Sequence, residues 1–142
     1  MRLKHRLKLL LKYLQKRLCC EIPSRYLRTV RFPHPVGIVI GDQVRIGQNV
    51  RIYQNVTIGL LQNVSGASES QYPTIEDEVY IYAGAVVLGG ITIGARSIIG
   101  ANALITRDVP PDSIAYGYNQ IRPKHARGAP ERRPRTRPVG VS

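Results

Sequence analysis

IGDQVRIGQNVRIYQNVTIG (residues 40–59) and TIEDEVYIYAGAVVLGGITIGARSIIGANALITRD (residues 74–108) return an aliphatic residue every six positions. Ile40, Ile46, Ile52 and Ile58 share one phase, and Ile75, Ile81, Val87, Ile93, Ile99 and Ile105 share another. Two places before most of them stands a small or β-branched residue: Val44, Val50, Val56, Val79, Ala85, Ile91, Ser97 and Ala103. The residue after the aliphatic is Gly at 41, 47, 59, 94 and 100. A helix has a period of 3.6 and an amphipathic strand a period of 2, so neither explains a sustained period of six. Six suits a coil of three short flat faces, each sending one large aliphatic inward, with glycine relieving the turn between faces. The spacing therefore predicts a parallel β-helix, an all-β solenoid that buries one ladder of side chains per face.

Outward from the repeat, the phase jumps between Ile58 and Ile75. That gap is 17 residues, eleven more than a hexad requires. Its small and polar content (LLQNVSGASESQYP) predicts a loop leaving one corner. Val109-Pro110-Pro111 is expected to end the ladder, because proline withholds a donor from any further strand. Residues 113–121 are then expected to double back along the last coil. Residues 21–39 read as irregular, with Pro33 and Pro35 around His34.

The ends differ from this middle in charge. The net charge of +12 divides into +9 over residues 1–31, −3 over 32–121 and +6 over 122–142. Basicity thus belongs to the termini, and the whole-chain value says little about what the repeat binds. Residues 1–20 read as a basic amphipathic helix with Leu3, Leu7, Leu14 and Leu18 on one stripe. Two uses stay open for it: packing on the solenoid end or a partner subunit, or peripheral contact with an anionic membrane. Residues 21–124 form the β-helix domain, and residues 125–142 read as a disordered Pro/Arg-rich tail. No stretch reaches the ~20 apolar residues of a membrane span, and the leucines alternate too closely with lysine for a secretory leader. Cys19 and Cys20 are adjacent, an arrangement that strains a disulfide. The expected setting is cytoplasmic, with the basic helix able to reach the inner face of a membrane.

Chemistry-bearing residues are few. Of three histidines, His5 and His125 lie in the basic ends, whereas His34 stands between two prolines at the mouth of the repeat. No set of Cys, His and carboxylates has metal-ligand spacing, so no metal is expected. The glycines are periodic and form neither a P-loop nor a dinucleotide fingerprint. Arginine density without interleaved aromatics gives no sequence-specific nucleic-acid reader.

HPVGIVIG (34–41), NVTIG (55–59), YIYAGAVVLGGITIG (80–94) and IIGANALITRDVPPDS (98–113) resemble the serine acetyltransferase-like branch of the hexapeptide-repeat acyltransferases. The resemblance covers Cys20 to about Lys124 and is close to short forms that acetylate sugars in surface-polysaccharide synthesis. It implies a left-handed coil, a homotrimer with sites between subunits, and acetyl-CoA as co-substrate. It implies His34 as general base, with Glu21 orienting it. An alcohol must lose its proton as it attacks a thioester, and an imidazole in reach supplies ~10²–10⁴ in rate. A carboxylate on the second ring nitrogen fixes the tautomer. Gly59, Ala83 and Ala101 match positions where a larger side chain would block the pantetheine arm, and Arg122 and Lys124 are candidates for the CoA phosphates.

Two departures bear on the acceptor, which is a small molecule with a hydroxyl. Serine acetyltransferases carry Asp before the catalytic His, where this chain has Pro33. They close the loop with Arg-His, where it has Gln71-Tyr72. A zwitterionic amino acid needs opposite charges to replace water. The sequence reading is therefore a sugar O-acetyltransferase, with serine O-acetylation as one alternative. A non-catalytic β-helix scaffold binding membrane or polyanions is the other.

Overall fold

In the computed structural model the described residues are 20–61 and 71–124. The basic helix expected over residues 1–20 (except Cys20), the interior of the loop expected between Ile58 and Ile75, and the tail expected to be disordered over residues 125–142 lie outside them. Among the described residues no helix is long and apolar enough to cross a membrane.

Each hexad becomes a strand of two or three residues. In chain order these are β1 (Val39–Ile40), β2 (Arg45–Ile46), β3 (Arg51–Ile52), β4 (Thr57–Gly59), β5 (Thr74–Ile75) and β6 (Tyr80–Ile81). They continue as β7 (Val86–Leu88), β8 (Thr92–Ile93), β9 (Ile98–Ile99), β10 (Leu104–Ile105), β11 (Ser113–Tyr116) and β12 (Gln120–Pro123). Parallel pairing joins every third strand up to β10, and β9 with β11, and so builds three sheets: β1-β4-β7-β10, β2-β5-β8 and β3-β6-β9-β11, the last extended by antiparallel β12. We call these the first, second and third faces of the coil. Paired residues lie 18 apart, as in Ile40 with Ile58, and 29 apart across the insertion, as in Ile58 with Val87. The eleven extra residues thus leave the ladder in phase on both sides.

Ile52, Ile58, Ile81, Ile93, Ile99 and Ile105 are fully buried, and Val50, Val56, Val79, Ala85, Ser97 and Ala103 beside them are buried as completely. Each hexad therefore sends two side chains inward, a large one and a smaller one. Full burial of an aliphatic side chain contributes about 1.5–3 kcal/mol. Ser97 is the polar exception, and its hydroxyl donates to the Pro110 carbonyl at 2.9 Å.

The glycines have a different role from the one expected. None of Gly41, Gly47, Gly59, Gly94 and Gly100 has a positive φ. Two corners are instead turned by left-handed residues. Gly37, Asn55, Gly84 and Asn102 serve the corner between the third and first faces, and Asn49, Glu78, Arg96 and Asp112 serve the corner between the second and third. Most of the periodic glycines answer close approach. A Cβ on Gly94 would lie 2.7 Å from the Pro110 carbonyl carbon, and one on Gly41 would lie 2.8 Å from the Tyr72 ring. Arg96 and Asp112, neighbours on one corner, form a bidentate ion pair at 2.8 and 2.5 Å. The hydrogen bond to Asp112, and then its charge, raise the Arg96 pKa.

Both ends of the coil extend beyond the expected limits. Glu21 bridges Val39 and Arg31 bridges Arg51, so a first coil precedes Ile40. A 3-10 turn, Ser24–Tyr26, takes the place of its missing strand. Cys20, Ile22, Tyr26 and Val30 close the core there, and the Tyr26 hydroxyl donates to the Val44 carbonyl. At the other end the ladder runs past the two prolines, because Val109 bridges Ile93 and β11 pairs with β9 in parallel. Gly94, the residue before Pro110 on this ladder, donates its N–H forward to Val109. The donor that Pro110 lacks would point forward too, off the open end of the coil, so nothing is lost. Only β12 doubles back, antiparallel to β11, and it covers the exposed sheet edge.

Candidate functional site

His34 lies on the corner that leads from the third face into β1. Arg31 pairs with Arg51 across 20 residues, whereas Val39 pairs with Thr57 across 18. Two extra residues are therefore accommodated between Arg31 and Val39, and His34 stands in that bulge, exposed between Pro33 and Pro35. Its carbonyl accepts from Val36 N–H at 2.8 Å, which closes a tight turn before Gly37 at φ 64°. Both prolines are exposed and stiffen the turn through their fixed φ.

The next coils supply an aromatic wall beside the imidazole. The Tyr53 ring is 6.3 Å from that of His34, tilted at 49°, and stacks on Tyr82 at 5.0 Å and 19°. Ala83 and Ala101 follow on the same edge, where Asn102 N–H donates to the Ala83 carbonyl. Small side chains at these two positions leave a strip of backbone open beyond the tyrosines.

Glu21 is exposed one coil before Val39, and its backbone bonds to Ile38 and Ile40 fix its place in the first face. No hydrogen bond or ion pair joins its carboxylate to His34. Gly59 lies on the other edge of the first face, with Gly41 and Tyr72, and a Cβ added to it would meet nothing within 4 Å. Tyr72 is half-buried and packs on the core, while Gln71 and Pro33 are exposed. Arg122 is half-buried in β12 with its guanidinium 5.8 Å from the Tyr116 ring centre, and its Nε is buried without a partner. Lys124 donates from Nζ to the Arg96 carbonyl, at the corner between the second and third faces.

Within one chain, then, His34, Ala83 and Ala101 share one edge, and Gly59, Gln71 and Tyr72 share the other, with the first face between them. No group of three or more His, Cys, Asp or Glu gathers among the described residues.

Sequence reasoning missed three residues around His34. Tyr53 and Tyr82 form the wall beside it. Cys20 is buried, and its Sγ bonds both the Pro35 carbonyl and the Ile38 N–H. Its signal was its phase: Cys20 and Ile22 stand 18 residues before Ile38 and Ile40, one coil earlier.

Comparison with known proteins agrees with this architecture. Residues 72–107 match the family described as bacterial transferase hexapeptide (six repeats). The serine acetyltransferase of Mycobacterium tuberculosis is 45% identical over 84 residues, which cover 59% of this chain and 35% of the relative. A solved serine acetyltransferase in complex with cysteine has a TM-score of 0.61 at 36% identity, covering 66% of this chain and 38% of that one. Another, in complex with CoA, has a TM-score of 0.58 at 34% identity, covering 66% of this chain and 37% of that one. The chain thus spans little more than a third of the length of these relatives. Its coil is the left-handed parallel β-helix, and it resembles hexapeptide-repeat acyltransferases of the serine acetyltransferase branch.

Proposed function

We propose that this chain, built on a β-helix of the serine acetyltransferase branch, is an O-acetyltransferase that moves an acetyl group from acetyl-CoA to a small-molecule hydroxyl. The observation that carries the reading is His34, held exposed on a proline-bracketed corner with the small residues Ala83 and Ala101 further along the same edge. In the reaction His34 takes the hydroxyl proton as the oxygen attacks the thioester carbonyl, and CoA leaves as the thiol. Acetyl-CoA as donor is supported by the serine acetyltransferase solved with CoA. Gly59, Ala83 and Ala101 leave room for the pantetheine arm, and Arg122 and Lys124 are its candidate phosphate contacts. Glu21 acts on His34 only if the carboxylate turns towards the imidazole.

Serine is the acceptor that the relatives support, since they are serine acetyltransferases. A neutral sugar hydroxyl is the second reading. It is favoured by Pro33, Gln71 and Tyr72, which offer no charge to a zwitterion, and by Tyr72 being packed on the core. The two edges of the first face also support a homotrimer, because His34 on one copy would then face Gly59 and Gln71 on another. The adjacent Cys19 and Cys20 support a cytoplasmic setting.

The test is thiol release from acetyl-CoA with L-serine and with a panel of sugars and nucleotide-sugars, run on wild type and His34→Ala. Release with serine that vanishes in His34→Ala supports the first reading. Release with a sugar alone moves the acceptor to the second. No release with any acceptor would favour the scaffold.

A further inference from the structure

The corner that carries His34 is built differently from the corners stacked on it. In two of the three later coils the turn closes on itself: Ala85 N–H donates to the Tyr82 carbonyl at 3.2 Å, and Ala103 N–H donates to the Gly100 carbonyl at 3.2 Å, whereas Val56 N–H, on the coil between, makes no such bond to the Tyr53 carbonyl. Ile38 occupies the same place in its coil, just before Val39 as Val56 and Ala85 stand just before its ladder partners Thr57 and Val86, and its matching carbonyl belongs to Pro35. Those two groups do not bond each other. Cys20 comes between them: its thiol donates to the Pro35 carbonyl at 3.0 Å, and its Sγ accepts the Ile38 N–H at 3.4 Å. The side chain is 6% exposed, so water does not compete for either contact.

We infer that Cys20 is a positioning residue for His34, its thiol spliced into the corner's hydrogen bond so that the turn is held open and the imidazole held out. This rests on the proposed role of His34 as base. The inserted sulfur separates Pro35 from Ile38 by more than one direct bond would allow. That spacing accommodates the two extra residues between Arg31 and Val39. His34 is joined to the clamped carbonyl by one peptide unit, so a change at the clamp reaches the ring with little chain to absorb it. Pro35 fixes the φ angle nearest the clamp and Pro33 the one before His34, which narrows the freedom left to absorb it. Serine suits the same place chemically, as both donor and acceptor, but its shorter C–O bond would draw the turn inward. Alanine leaves the two backbone groups either unpaired or closed on each other, and in both cases His34 moves.

The experiment compares Cys20→Ala, Cys20→Ser and Cys20→Val with wild type, reading kcat and acetyl-CoA KM separately alongside the thermal midpoint. It also records the His34 imidazole signals by NMR in protein with labelled histidine. Expected for Cys20→Ala and Cys20→Val is a fall in kcat of about ten-fold or more, since displacement of a catalytic group by an ångström can cost ~10². Acetyl-CoA KM should stay within about three-fold, because a base acts in the transition state. Cys20→Ser should recover most of kcat. The His34 signals should shift in Cys20→Ala and return towards wild type in Cys20→Ser. Wild-type kcat and unshifted His34 signals in folded Cys20→Ala would overturn the inference. If Cys20→Ala and Cys20→Val do not fold, Cys20→Ser with unshifted signals and a loss of kcat as large as that of His34→Ala would also overturn it. Should the wild type release no thiol with any acceptor, the proposed function fails by itself, and the NMR comparison still decides whether Cys20 sets the His34 turn.

Discussion

Tyr53 and Tyr82 stack with ring centres 5.0 Å apart although the insertion separates them in sequence by 29 residues. They sit one after the other on a single edge because Ile52 and Ile81 pair in the third face immediately before them. The stack continues the line of His34, whose ring is tilted over Tyr53. Offset aromatic pairs contribute about 0.5–1.5 kcal/mol beyond the area they bury. Tyr82→Ala should therefore cost about 1 kcal/mol in chemical denaturation, and Tyr82→Phe should cost almost nothing. Equal losses from the two would mean that the hydroxyl, and not the stack, holds this edge.

Gly94 and Gly59 stand after aliphatics of the same repeat, yet the structure separates them. A Cβ on Gly94 would lie 2.7 Å from the Pro110 carbonyl carbon, which belongs to a backbone that cannot swing aside. Gly94→Ala should destabilise by about 3 kcal/mol or more, at the upper end of what overpacking costs. Around Gly59 there is open space. Gly59→Ala should leave the thermal midpoint unchanged or slightly raised, since alanine restricts the unfolded chain. The bulkier Gly59→Leu should raise the acetyl-CoA KM if the pantetheine arm passes there. A Gly59→Leu enzyme with wild-type KM would remove Gly59 from the donor site.

How much could be read from the chain follows from where the period holds. Ile40 to Ile105 announced the faces and the inserted loop, because every coil must bury the same kind of side chain at the same phase. The first coil was hidden because one of its faces is a 3-10 turn and its corner holds two extra residues, so Ile22 has no partners at six-residue spacing. Past Val109 the expectation failed for a different reason. Pro110 and Pro111 forbid a strand only where their donors are needed, and on the last coil no neighbour asks for them. The glycines were legible as periodic but not as to cause: left-handed turns fall on Asn49, Asn55 and Asn102, whose type favours that region, and also on Glu78 and Arg96, whose types carry little warning. At the site, His34 was readable from its motif. Cys20 was not, since its role exists only once Pro35 and Ile38 are brought beside it.

Glu78 is an informative corner residue because it holds φ 58° between Asn49 at 57° and Arg96 at 59° on the same corner. A non-glycine residue in this region costs on the order of 1–2 kcal/mol, and asparagine tolerates it best. Glu78→Asn should keep or raise the thermal midpoint, whereas β-branched Glu78→Val should lower stability by about 2 kcal/mol. The Glu78 N–H donates to the Gln48 carbonyl at 2.9 Å, a backbone bond that neither substitution deletes, and both remove the same charge near Arg96, so the difference between the two variants reports the strain of the corner. If valine were tolerated as well as asparagine, the corners would not be turned by the left-handed residues.

His34 and Glu21 divide the last prediction between them. The structure holds His34 out on its corner and gives it no hydrogen bond or ion pair to the Glu21 carboxylate. His34→Ala should lower kcat by about 10² or more with acetyl-CoA affinity changed only a few-fold, because the imidazole works on the proton that leaves in the transition state. Glu21→Gln keeps the backbone bonds to Ile38 and Ile40, so the first coil should fold as before. Its loss in kcat should be much smaller than that of His34→Ala if the carboxylate only trims the orientation of a ring already fixed by its turn. A Glu21→Gln loss equal to that of His34→Ala would mean that the two act as one unit, as a base and its orienting carboxylate do when each is useless alone. The carboxylate would then have to reach the imidazole during turnover, through a movement of the first coil against the His34 corner. Isothermal titration with acetyl-CoA beside steady-state kinetics separates the outcomes, since neither variant should weaken donor binding.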